Sequence, residues 1–272
     1  MRILAAFLLA TPLSVFGADL DVQPIPDLPL NTLPSAPATE TQSATGHWRF
    51  ALGGGVSYSP RYEGSAANRW RLMPLIEASY NDGKFFISPL RGIGYNFSED
   101  KDMQYGIRLT PGHGRKQSAD PYLNGMGDIG FTPEAGLFLN KRFAPWFISS
   151  SFSTSSRGNR AELGGGIGFP LSAADHLRLS ANLNWGDARY NQTYFGVTAA
   201  QAAASGNVLT PYNASSGIKD YALSTNWIHN YDKHWYSTTG LSYKWLTGSA
   251  RQSPLTRRSS MGSLNFLSGY RF

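Results

Sequence analysis

The 272-residue chain contains no cysteine, which excludes a disulfide-stapled scaffold and a lipoprotein anchor. No apolar run reaches the ~20 residues that a helix needs to cross a bilayer. The longest, Ile3 to Ala10, is closed off by Pro12. Charge is sparse, at 15 % of residues. The five histidines form no ligand spacing, and His229 and His234 flank a turn as interfacial side chains rather than metal ligands. Gly53-Gly54-Gly55 and Gly164-Gly165-Gly166-Ile167-Gly168 lie in extended segments with no helix after them, so they are not phosphate loops. Glycine in such strands permits bending or close packing instead.

What is present points to export. Met1 to Ala18 combines Arg2, an apolar stretch and the small residues Val15 and Gly17, the pattern of a secretory signal cut after about Gly17 or Ala18. The whole chain holds 29 glycines and 36 aromatic residues, yet the mean hydropathy is −0.29. A membrane barrel reconciles the two, because only alternate residues of each strand meet lipid. Without Arg2 the net charge is +5, and an exported protein finds that charge a partner in anionic lipid rather than nucleic acid. Residues 19–46 hold Pro24, Pro26, Pro29, Pro34 and Pro37 without strand or helix periodicity and read as a disordered, polyproline-like periplasmic leader.

From residue 47 the chain alternates. Trp48, Phe50, Leu52, Val56 and Tyr58 share one parity, and Trp70, Leu72, Ile76, Ala78 and Tyr80 another such set, separated by polar or small residues. Further strands follow at 103–110, 128–139, 145–154, 161–169, 176–185, 218–228, 235–246 and 261–272. Asn81-Asp82-Gly83-Lys84 signals a hairpin. Counting back from the end, with short turns inside and long loops outside, requires 85–97 to be two short strands bent near Leu90 to Gly92. The expectation is an all-β, transmembrane, antiparallel up-and-down barrel of about twelve strands over 47–272, or ten if the short pair does not cross. In the last strand Leu264, Phe266, Tyr270 and Phe272 lie on one face. It resembles the closing strand of bacterial outer-membrane barrels, which implies Tyr270 and Phe272 as the signal read by the barrel-assembly machinery.

Tyr58-Ser59-Pro60-Arg61-Tyr62-Glu63-Gly64-Ser65, Gly114-Arg115, Tyr194-Phe195-Gly196-Val197, Gly217-Ile218-Lys219-Asp220 and Ser253-Pro254 stand in an order that resembles the MipA/OmpV (MltA-interacting protein) family. The resemblance implies an outer-membrane barrel. In some members it is a scaffold between a lytic transglycosylase and a bifunctional penicillin-binding synthase, in others an adhesin or immunogenic surface protein. It implies neither catalytic residues nor a cofactor.

Two sets of side chains follow from the topology. The inward parity collects Arg49, Arg71, Arg108, Arg178, Lys244 and Arg271 against Glu77, Glu134, Glu162 and Asp220, charges expected to pair across a narrow lumen and obstruct it. Six cations against four anions leave a narrow anion-preferring channel as the alternative. The outer loops carry Arg61, Arg69, Arg115, Lys116, Arg157, Arg160, Arg189, Arg251, Arg257 and Arg258, a rim expected to meet lipopolysaccharide. For acyl hydrolysis the grouping on offer is Ser253, His113 and Asp120, whose spacing matches no hydrolase pattern, so no enzyme is expected.

Overall fold

The computed structural model describes residues 46–272. The expected signal peptide, 1–18, and the expected leader up to its last residue lie outside them. Twelve strands run in sequence: β1 (Trp48–Pro60), β2 (Asn68–Tyr80), β3 (Phe85–Ser88), β4 (Gly92–Asn96), β5 (Met103–Pro111), β6 (Pro133–Phe143), β7 (Trp146–Ser155), β8 (Gly158–Pro170), β9 (Asp175–Gly186), β10 (Gly217–Asn230), β11 (Trp235–Leu246) and β12 (Ser260–Arg271). Each is antiparallel to its sequence neighbours, and β12 pairs with β1 from Ala51↔Arg271 to Tyr58↔Leu264, which closes the barrel.

Closure is what lets such a sheet sit in lipid, because a barrel satisfies its backbone groups between strands. At the seam the two strands approach so closely that a side chain on Gly53 would meet the Ser268 carbonyl, and one on Gly55 the Phe266 carbonyl. That is the reason for the glycine run in β1.

Alternation then sorts the side chains. Leu72, Ile76, Ile107, Leu137, Leu163, Leu223 and Leu241 are exposed on the outer wall, while Ser57, Ser180, Asn182, Asn184, Asn226 and Asn265 are buried inside. Aromatic side chains band both ends. Trp48 packs on Tyr80 and Phe85 on the inner side, and Tyr58 on Trp70 and Tyr221 on Trp245 on the outer side. Connections on the inner side are short, down to Ala144-Pro145 between β6 and β7, whereas the longest, 112–132, 187–216 and 247–259, all emerge on the outer side.

Two expectations change in detail. β3 and β4 are hydrogen-bonded members of the barrel, but with four and five residues at ~3.3 Å each they fall short of an apolar band ~25 Å tall. Twelve strands close the wall and ten are long enough to cross it. The strand expected from Asp128 begins only at Pro133, because Ile129 pairs with Arg115 and folds inward over the mouth.

Replacing Gly53 with Val is expected to abolish the heat-modifiable folded form by wedging the β1–β12 seam. Gly168→Val, where an added side chain meets nothing within 4 Å, is the control expected to keep it on a gel.

Candidate functional site

The long outer loops do not stand in solvent; they converge into a cap. The loop between β1 and β2 supplies Tyr62, whose hydroxyl donates to the Leu255 carbonyl at 3.0 Å. Gly64, at φ +96°, lies against Thr256, and its carbonyl accepts the backbone N–H groups of Arg257 and Arg258. Ser65 donates to Asp120 at 3.2 Å. Around these contacts Tyr62, Leu123, Met126, Val197, Leu209 and Leu255 form one buried cluster. Tyr190, Tyr194, Phe195, Leu246, Ala250 and Met261 form a second.

Three short helices shape the cap. α1 (Ala188–Phe195) starts at Asp187, whose carboxylate accepts from the Tyr190 N–H at 2.7 Å. α2 (Ala199–Ala204) starts with a reciprocal capping box between Thr198 and Gln201, and α3 is Gly248–Gln252. Both capped starts, Asp187 and the Thr198-x-x-Gln201 pattern, were legible signals that strand counting passed over.

Beneath the cap lies a chamber of about 90 Å³, lined by Tyr62, Glu63, Arg71, His113, Arg115, Arg160, Trp185, Tyr190, Tyr194, Lys219 and Lys244. At its side the Glu63 carboxylate accepts from the Lys219 and Lys244 ammonium groups, each at 2.9 Å. Asp220, fully buried, bonds Lys219 and takes the Asn184 amide at 2.7 Å. With Asp220 facing in, strict alternation would turn Lys219 outward. A bulge between Ile218 and Asp220 turns both neighbours inward, and strict alternation cannot foresee that. Burial by itself would raise the Glu63 pKa, but the two ammonium groups outweigh it and hold the carboxyl well below the usual carboxylate range. His113 is pulled down to about 4, first by burial and then by the Arg160 guanidinium.

The remaining inward charges are matched in two ways. Glu77 takes Arg91 at 3.0 Å and the Ser88 hydroxyl, and Glu134 takes Arg160 at 2.7 Å. Arginines also lie over aromatic rings: Arg108 over Phe138, Arg178 over Phe147 at 3.4 Å and Arg271 over Tyr236 at 3.9 Å. Glu162 keeps its inward place, half-buried, and Arg71 bonds the Ser59 hydroxyl and the Pro60 and Arg61 carbonyls. Arg49 is corrected: it sits at the inner rim, exposed, 3.7 Å from Asp82. Toward the inner end Met73, Leu75, Tyr236 and Leu267 pack into an apolar cluster on the wall formed by β2, β12 and β11.

Of the expected outer rim, Lys116, Arg189, Arg251, Arg257 and Arg258 are exposed and Arg61 is half-buried. Arg115 leaves the rim, because its guanidinium is buried and donates to the Tyr194 carbonyl at 2.7 Å. Arg160 leaves it too, turned in to Glu134. The hydrolase grouping is not assembled. Ser253 donates to the Phe195 carbonyl at 2.5 Å, Asp120 accepts from Ser65 and from the Tyr122 N–H, and neither is bonded to His113. Among the described residues no cluster of His, Asp or Glu is arranged to hold a metal ion. Tyr270 and Phe272 stack edge to face at 4.9 Å on the inner rim, where the Phe272 N–H donates to the Phe50 carbonyl.

Comparison with known proteins places the chain as follows. A family model described as MltA-interacting protein MipA matches residues 52–272. None of the curated proteins compared with it matches. Among solved structures, a bacterial polysaccharide outer membrane secretin is similar at 10 % identity and TM-score 0.44, over 83 % of this chain and 98 % of that one. An outer membrane channel from Pseudomonas putida F1 gives 8 % and 0.44, over 87 % and 99 %. An anion-selective porin from Comamonas acidovorans gives 8 % and 0.39, over 84 % and 99 %.

Glu63→Gln is expected to loosen the cap, leaving Lys219 and Lys244 facing each other across Asp220 alone. The cost should be about 2 to 3 kcal/mol after allowance for partial exposure, read as faster tryptic cleavage at Arg251, Arg257 and Arg258. A second expectation concerns acid. Because the folded pKa of His113, about 4, lies below its ordinary 6.5, the opened cap binds more protons between those values, so cap stability falls as pH drops from about 6.5 to about 4. His113→Phe should flatten the pH dependence of cap proteolysis in that window.

Proposed function

The chain belongs to the MltA-interacting protein MipA family, and from that premise we propose that this outer-membrane barrel is a binding and scaffold protein, one that ties murein-synthesising and murein-degrading enzymes to the outer membrane. The observation that carries this is the filled interior. A cap covers the mouth, Arg-aromatic stacks and ion pairs occupy the middle, and Met73, Leu75, Tyr236 and Leu267 pack together on the inner face of the wall toward the inner end. Such a barrel offers surfaces rather than a path. A narrow anion-preferring channel is the second reading, favoured by the lysines and arginines that crowd the chamber lining.

The partners proposed on the murein side are a lytic transglycosylase and a bifunctional penicillin-binding synthase; on the outer side the exposed Lys116, Arg251, Arg257 and Arg258, with Arg61 beside them, meet lipopolysaccharide phosphates. The inner turns, from Ala144-Pro145 up to 97–102, expose too little chain to bury a stable interface. The leader therefore carries the enzyme contact, through Leu20, Val22, Ile25, Leu28, Leu30 and Leu33 spaced along a proline-stiffened segment.

Deleting Pro24 to Glu40, with Asp19 to Gln23 kept so that export is untouched, should abolish recovery of both enzymes in envelope pull-downs while the barrel stays heat-modifiable. Unchanged recovery would refute the leader as the docking element. Steady conductance of the intact protein in planar bilayers would favour the channel over the scaffold.

A further inference from the structure

The chamber under the cap holds more positive than negative charge. Arg71, Arg115, Arg160, Lys219 and Lys244 line it, and the acids that line it or bond those side chains are Glu63, Asp220 and Glu134, which leaves an excess of two positive charges. Arg108 and Glu162, both near Arg160, cancel each other. His113 is neutral above about pH 4 and adds nothing. Burying such an excess without a counter-ion is costly.

Three side chains from three segments keep hydrogen-bonding capacity at this chamber. Arg115, on the loop after β5, is 7 % exposed and uses one terminal nitrogen on the Tyr194 carbonyl, and among the described residues no acid pairs with it. Its buried Nε has no acceptor. Arg160, on β8, reaches Glu134 through Nε, which leaves the paired terminal nitrogens of its fork. Tyr190, on α1, is 3 % exposed, and its hydroxyl has no acceptor among the described residues. Buried donors of this kind call for an acceptor that the protein does not supply.

Glu63 narrows the choice of acceptor. The Lys219 and Lys244 ammonium groups both bond its Oε1, and Oε2 accepts no bond from the described residues. Held ionised by those two groups, Glu63 can accept a hydrogen bond and cannot donate one. An anion beside it must therefore bring a proton of its own, which sulfate and a carboxylate lack at neutral pH. Hydrogen phosphate has one, and it carries the two negative charges that the excess requires. Size agrees: a cavity of about 150 Å³ takes a six-carbon ring, so one of about 90 Å³ suits an ion of five heavy atoms. A phosphate carried on a sugar or on lipopolysaccharide is too bulky.

We propose that the chamber is a binding site for inorganic phosphate. Its oxygens take the Arg115 and Arg160 guanidinium groups and the Tyr190 hydroxyl, and its own hydroxyl donates to Glu63 Oε2. The bound ion ties the first outer loop, loop 112–132, β8 and α1 to one another. The proposal rests on the chamber alone and not on the scaffold or the channel reading, since an ion held is neither a partner docked nor a current carried.

The test takes the full mature chain, folded in detergent and heat-modifiable, dialyses it free of phosphate and titrates it with radioactive inorganic phosphate. Saturable binding of one ion per chain is expected, with sulfate and glucosamine 1-phosphate competing at least tenfold more weakly than unlabelled phosphate. Tyr190→Phe removes a hydroxyl that no described residue uses and keeps the ring on Tyr194, so it should fold as before and bind phosphate about tenfold more weakly. Absence of saturable binding, equal competition by sulfate or by the sugar phosphate, or unaltered affinity in folded Tyr190→Phe protein would each overturn the proposal.

Discussion

The constraint on which everything else depends is that a backbone amide in lipid must find its partner within the protein. It dictates a closed sheet, and closure in turn dictates that β1 and β12 meet at a seam tight enough to demand Gly53 and Gly55. Once the wall is closed, the two faces of every strand acquire opposite duties. Leu, Ile and aromatic side chains turn to lipid, while the interior must accommodate whatever polar groups the alternation sends inward.

The interior solves that problem with two kinds of pairing. Acids are few, and several are met by more than one donor, as Glu63 is by Lys219 and Lys244 and Glu77 by Arg91 and Ser88. Arg108, Arg178 and Arg271 lie over Phe138, Phe147 and Tyr236, whose ring faces attract the guanidinium charge. A cluster of that charge gathers under the cap, where Glu63, Lys219, Lys244 and Asp220 meet.

Much of this was legible in the sequence. Period-two alternation located the strands, and the rule of short inner and long outer connections forced 85–97 into the two pieces that the structure contains. What stayed hidden belonged to exceptions from periodicity or to contacts between distant loops. The bulge at Lys219 breaks alternation by one residue, and nothing in Gly217-Ile218-Lys219-Asp220 announces which neighbour will turn. Arg115 counted as a surface charge because loop residues have no parity to read, yet the Tyr194 carbonyl draws it inside. The motifs behind the family resemblance, scattered along the chain, prove to be one object: Tyr62, Glu63, Gly64, Arg115, Phe195, Lys219 and Ser253 all meet in the cap or on the chamber below it.

The clasp between the first outer loop and the last has a consequence for the order of assembly. Tyr62 and Leu255 are 193 positions apart, and Gly64 reaches Met261 over 197. Those loops become neighbours only when the first and last hairpins are zipped together, so the clasp cannot fasten on a barrel that is still open. Its fastening is the final event of maturation, and a chain whose loops resist a protease added from outside has, by that fact alone, completed its circle.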